Sequence, residues 1–153
     1  MRRKSPVPLI IGVVIGIMFL VTLFMFIGKS QEPQTPEEVI KEFYNFEKDG
    51  DFGNAWELFH SEMKNKFPKA SYIQTKNHVF MGHMGVEEFD VEIGSIEKEK
   101  EFTFNHEGLQ FENVRKAKVN LYFDSQFGEL TISQTCYAAM EEGEWRILWN
   151  YNF

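Results

Sequence analysis

From Val7 to Ile27 the chain runs twenty-one residues without a charge, directly behind Arg2, Arg3 and Lys4. At a rise of about 1.5 Å per residue, an apolar helix of this length spans the ~30 Å hydrocarbon core of a bilayer, and cations at its N-terminal end hold that end in the cytoplasm. The segment therefore predicts a single-pass anchor. Residues 1–28 form a cytoplasmic stub and transmembrane helix, and the remainder of the chain lies outside the cell membrane. A cleaved secretory signal would have an apolar region of about 7 to 15 residues closed by a small-x-small site, and Phe26-Ile27-Gly28-Lys29 offers none. No cysteine stands near the end of the run to carry a lipid. Gly12 and Gly16 within unbroken hydrophobicity suit lipid better than a globular interior.

Residues 29–153 are the size of one ordinary domain with one core. They hold 13 Phe, 5 Tyr and 3 Trp, enough large side chains to offset chain entropy without disulfides. Cys136 is the one cysteine, so no internal bridge forms and no thiolate metal cluster is expected; its place is that of a small buried hydrophobe. All 23 acidic residues but only 13 of the 16 basic ones lie in this segment, a net charge of −10. Nucleic acid is not an expected partner, because a phosphate backbone needs clustered cations and the densest basic stretch, Arg115-Lys116-Ala117-Lys118, falls in a strand pattern. The acidic excess reads as a solvated surface.

Residues 29–35 are polar, contain Pro33 and read as a short linker to a domain over residues 36–153. Thr35-Pro36-Glu37-Glu38 is a helix start with N-cap, first-turn proline and capping-box glutamate in place. Val39, Ile40, Phe43 and Phe46 follow on one face, and Gly50 can supply the left-handed residue that ends the helix. Phe52, Ala55, Trp56, Phe59 and Met63 share a second helical stripe ended by Pro68. A weaker stripe of Ile73, Asn77 and Phe80 predicts a third helix from Ser71 to about Met81, before Gly82 and Gly85.

From Glu87 the period changes to two. Phe89, Val91 and Ile93 alternate with acids, and Gly94-Ser95 shifts the alternation by one, as a bulge does. Phe102 and Phe104 predict a short strand, followed by a turn at Asn105–Gly108. Ala117, Val119, Leu121 and Phe123 face one way on a longer strand; Leu130, Ile132, Cys136, Ala138 and Met140 share a face on the next, interrupted by Gln134. Glu141-Glu142-Gly143 turns the chain into Trp145, Ile147, Trp149 and Tyr151. Helices first and an antiparallel meander afterwards predict an α+β, cone-shaped domain of about three helices packed on a curved antiparallel sheet.

Several of these pieces together resemble a known family. A capped helix follows an anchor and linker, Asp49-Gly50-Asp51-Phe52 joins it to a helix carrying Trp56 and Leu58, and Ser61 comes shortly after. Gly85-Val86-Glu87-Glu88-Phe89-Asp90-Val91 leads into the first strand, and Trp145-Arg146-Ile147-Leu148-Trp149 closes the sheet. The order resembles the nuclear transport factor 2-like fold, and within it the membrane-proximal N-terminal domain of methicillin-resistance-type penicillin-binding proteins, over most of residues 36–150. In those transpeptidases further domains come next, whereas this sequence stops at Phe153. The resemblance therefore implies a fold and an envelope setting, with a non-catalytic spacer or docking role and no catalytic residues to carry over. A link to antibiotic response comes with the family alone.

Ser61-Glu62-Met63-Lys64 spells the Ser-x-x-Lys of penicillin-binding enzymes, but the Ser-x-Asn and Lys-Ser/Thr-Gly triplets that complete such a site are absent from the chain. Of the four histidines, His60, His78, His83 and His106, only His78 and His83 lie close together, and their i, i+5 spacing is poor for two ligands on an α-helix. Glu37-Glu38, Glu87-Glu88 and Glu141-Glu142 read as caps and solvated ends. Tyr44, Trp56, Tyr72, Trp149 and Tyr151 are the aromatics that can line a cavity inside the cone, with core packing the simpler use for them. No catalytic residue, metal or cofactor is expected. The expected role is a non-catalytic, membrane-anchored contact or spacer module of the bacterial envelope, linked to cell-wall synthesis, with another envelope protein as partner and self-association left open. A small-ligand or enzymatic cone-cavity domain, and a scaffold subunit of a secretion, conjugation or sporulation complex, are the alternatives.

Overall fold

The computed structural model describes residues 16–18, 35–86, 89–104 and 108–149, and the chain divides into two units, Met1–Glu32 and Pro33–Phe153. In the first unit residues 16–18 are helical; the remainder of the expected anchor, Val7 to Ile27, lies outside the described residues. Among the described residues no helix is long and apolar enough to cross a membrane.

The second unit is α+β, with helices packed on a curved antiparallel sheet. Its first helix, α1 (Pro36–Lys48), begins as the sequence predicts. Thr35 Oγ1 accepts from the Glu38 N–H at 3.1 Å and the Thr35 N–H donates to Glu38 Oε2 at 3.0 Å, closing the capping box. Val39, Ile40, Phe43 and Tyr44 are buried along its inner face. Gly50, at φ 70°, turns the chain out of the helix, and the Asp51 N–H bonds back to Phe46 O at 2.8 Å.

One continuous second helix does not form. The structure has α2 (Phe52–Glu57) and α3 (Ser61–Lys66), separated by Leu58–His60. At the break the backbone runs beside the last strand as a parallel bridge between Phe59 and Ile147. The His60 N–H donates to Ile147 O at 3.0 Å and the Ile147 N–H to Leu58 O at 2.8 Å. These bonds give the His60 N–H, the Ile147 N–H and the Leu58 and Ile147 carbonyls partners where the helix is interrupted. The apolar stripe survives the break, since Phe52, Ala55, Phe59 and Met63 are all buried. The third predicted helix, α4 (Lys69–Asn77), starts two residues earlier, directly behind Pro68, and passes into a π-helical turn over His78–His83. Tyr72 is its one buried residue, in keeping with its weak stripe.

The sheet comprises β1 (Phe89–Ile93), β2 (Glu97–Phe104), β3 (Leu109–Ser125), β4 (Gly128–Glu141) and β5 (Glu144–Trp149), all antiparallel, in the order β1-β3-β4-β5 with β2 also on β3. The expected bulge is present. Ile93 pairs with Val119 and Glu97 with Lys116, so the edge advances four residues while β3 advances three. Gly94 sits at the irregularity with its N–H on Lys118 O at 2.8 Å, and a Cβ there would stand 3.2 Å from that oxygen. β2 is longer than expected because Glu97-Lys98-Glu99-Lys100-Glu101 has no apolar alternation to announce it; it is a charged edge strand.

Ala117, Val119, Leu121 and Phe123 are buried, as their alternation predicts. On β4 the prediction holds only for Cys136 and Ala138. Leu130, Ile132 and Met140 are exposed, and Ala139 is buried instead. Among the described residues β5 pairs with β4 over Cys136–Glu141.

Phe59 is fully buried, with ring centroids of Phe43, Tyr72 and Trp149 at 5.3, 5.1 and 5.1 Å. Phe59→Ala should destabilise the chain by about 3–5 kcal/mol, read as a lower urea midpoint at unchanged slope. A loss under about 1 kcal/mol would show that this ring is not a core element.

Candidate functional site

A cavity of about 500 Å³ opens beside α4 and the π-helical turn, walled by Phe67, Tyr72, Thr75, Lys76, Phe80 and Trp149 among others. Behind two of its lining residues, Tyr72 and Lys76, stands a buried carboxylate from α1. The Glu47 carboxylate, on the buried face of that helix, accepts from the Tyr72 hydroxyl and from Lys76 Nζ. Lys76 Nζ also lies 5.0 Å from the Phe80 ring centroid, 5.2 Å from Trp149, 5.6 Å from Tyr72 and 6.0 Å from Phe52. A cation surrounded by ring faces and one carboxylate is compensated where it sits. Burial, followed by the neighbouring Glu47 charge, raises the Tyr72 phenol far above its ordinary value, so it keeps its proton. Among the described residues, Trp149 Nε1 is the buried side-chain polar atom left without an acceptor.

Of the aromatics proposed as cavity lining, Tyr72 and Trp149 meet here, with centroids 6.3 Å apart. Tyr44 is elsewhere, buried in the core, where its hydroxyl accepts from Gln134 Nε2 at 2.7 Å. Trp56 is also outside the cavity: its Nε1–H donates to Phe67 O at 2.6 Å, and its ring lies under Lys64 and Lys69. Tyr151 lies outside the described residues, as does His106. Glu47 and Lys76 are the members that sequence reading missed. A signal existed, because Glu47 continues the buried series Ile40, Phe43 and Tyr44 at helical spacing, and a carboxylate on an apolar face needs a buried partner.

Ser61 and Lys64 each bond to other partners. Lys64 Nζ donates to Glu57 O at 2.9 Å and lies 5.0 Å from the Trp56 ring centroid. The Ser61 N–H is held by the Glu141 carboxylate at 3.1 and 3.3 Å. His60 Nδ1 accepts from the Glu62 N–H at 3.2 Å and stands 3.4 Å from Ser61 Oγ, while its Nε2 faces Glu141 Oε1 at 3.6 Å. The order Ser, His, Glu invites comparison with a hydrolytic triad, but the imidazole lone pair is occupied as the N-cap of α3. The group clamps α3 to the β4–β5 turn. Burial pushes the His60 imidazole below its ordinary value of 6.5, with Glu141 pulling the other way.

Cys136 is a fully buried free thiol pushed up to about 12 by that burial, hence unreactive. Two members of the basic run on β3 have partners within the sheet. Lys116 pairs with Glu99, and Arg115 bonds the Asn113 and Val114 carbonyls and covers Trp145. Among the described residues no group of three or more His, Cys, Asp or Glu is placed to hold a metal.

Neither a protein-family description nor a curated protein matches this chain. Among solved structures, the solution structure of a SEC-C motif containing protein from Rhodopseudomonas palustris is similar, with a TM-score of 0.54 and 13% identity, covering 80% of this chain and 82% of the other. That likeness, with helices on a curled antiparallel sheet, gives the nuclear transport factor 2-like cone fold and nothing about activity.

Two outcomes are expected for the buried charges. Glu47→Gln leaves the Lys76 cation without its counter-charge and should cost about 3 kcal/mol in denaturant unfolding, whereas Glu47→Leu with Lys76→Met should recover most of it; equal losses in both variants would refute the pairing. For His60 the fold holds the neutral form, so its contribution is full above pH 6.5 and is lost as pH falls toward the lowered value. His60→Asn, which keeps a capping acceptor, should flatten the stability loss as pH falls below about 6.5. An unchanged slope would mean that another group titrates there.

Proposed function

We propose that this chain is a single-pass membrane protein whose outer domain is non-catalytic and works by contacting another component of the bacterial envelope, in the manner of the N-terminal domain of methicillin-resistance-type penicillin-binding proteins. One observation carries the non-catalytic part: the acid, phenol and amine of the cavity satisfy one another. A general base must be free to take a proton, and an acid must be poised to give one. Here Glu47 is bonded by two donors, Tyr72 is held protonated, and Lys76 is caged by rings. The uncharged Val7–Ile27 run behind three cations supports the anchor and its orientation.

A second reading is favoured by Trp149, a residue of the cavity wall whose buried Nε1 has no acceptor among the described residues. A small neutral apolar molecule carrying one hydrogen-bond acceptor fits such a place. The two readings separate by experiment. In cells, the full-length chain should stay with membranes through alkaline carbonate washing, lose its domain to protease added from outside, fail to label with a fluorescent penicillin, and crosslink to another envelope protein through exposed photoreactive positions. Release by carbonate, or covalent labelling of Ser61, would overturn the first reading. Saturable quenching of Trp fluorescence by the neutral probe N-phenyl-1-naphthylamine, lost in Trp149→Phe, would establish the second.

A further inference from the structure

Away from the cavity, the π-helical turn brings together two imidazoles whose spacing keeps them apart on an α-helix. Residues five apart on an α-helix point in widely different directions, whereas the wider π turn, with its i→i+5 bonding, returns them to one side. His78 opens the turn and His83 closes it. Their Nε2 atoms stand 2.9 Å apart and their ring centroids 4.4 Å apart, with the pair on the exposed side of the turn. The turn is pinned. The Met84 N–H donates to Val79 O at 3.0 Å, the Gln126 side-chain amide donates to His83 O at 2.7 Å, and Phe80 stacks on Phe123 with centroids at 5.3 Å.

We propose that His78 and His83 form a two-imidazole chelate for a divalent first-row transition ion, held most tightly as Cu²⁺. Imidazole nitrogens at about 2.0–2.1 Å from a metal stand about 2.9 Å apart on adjacent corners of a square or octahedron and about 3.3 Å apart on a tetrahedron. The observed 2.9 Å is the length of a hydrogen bond between the two imidazoles, so both ring nitrogens already face one point and an ion bound there replaces that bond; Cu²⁺ heads the affinity order for nitrogen sites. Exposure leaves the remaining positions to water or an incoming donor. The acidic excess of the domain attracts cations, and the pinned backbone limits the entropy lost when both rings turn toward one ion.

The test is a Cu²⁺ titration of the full-length chain in mild detergent, followed by calorimetry and pulsed electron paramagnetic resonance, with Ni²⁺ in parallel. The expected result is one Cu²⁺ per chain, two coordinated imidazoles in the spectrum, and weaker Ni²⁺. His78→Asn or His83→Asn should each weaken binding at least as much as the roughly 10–100-fold seen on losing outer-shell partners, with circular dichroism unchanged and one imidazole left in the spectrum. Wild-type affinity in the double variant would place the ion on the N-terminal amine or another histidine and overturn the proposal. So would a stoichiometry of two chains per ion.

Discussion

The parallel contact between Phe59 and Ile147 joins the helical layer to the last strand, and much of the domain is arranged around it. Its backbone bonds stitch Leu58–His60 onto β5, while the Phe59 ring enters a cluster with Phe43, Tyr72 and Trp149. That one point has three consequences. The second helical stripe is cut in two, His60 is left free to cap α3, and Trp149 is held where its indole forms a wall of the cavity. Ring contacts of this kind add about 0.5–1.5 kcal/mol each beyond the area they bury, so the hub is both a geometric and an energetic centre.

Next to that hub, a carboxylate taken out of water needs compensation of several kcal/mol. Glu47 receives it from one hydroxyl and one ammonium, and the ammonium is further shielded by four rings. The arrangement ties α1 to α4. Glu47, Tyr72 and Lys76 are thereby each other's partners.

Local signals in the sequence translated directly into structure. The Thr35–Glu38 box, the Gly50 stop, the Gly94 bulge and the buried face of β3 are each marked by residue types within a few positions. The features that stayed hidden depend on distant partners. Periodicity through Phe52–Met63 cannot reveal that β5 offers hydrogen bonds at Leu58–His60, nor can the alternation of Leu130 and Ile132 reveal that both side chains stay exposed. The His78–His83 spacing misleads because it is judged on an α-helix, and the turn is π-helical. Within the cavity Tyr72 and Trp149 were legible as aromatics; Glu47 and Lys76 were not, because each makes sense only beside the other.

The helical layer and the closing strand act as one cooperative unit, and native-state hydrogen exchange at two amides tests this most directly. The His60 and Ile147 N–H groups should exchange only through global unfolding, with protection within about 1 kcal/mol of the most protected positions of β3. Exchange of these two amides through a local opening several kcal/mol easier, while β3 stays protected, would contradict it.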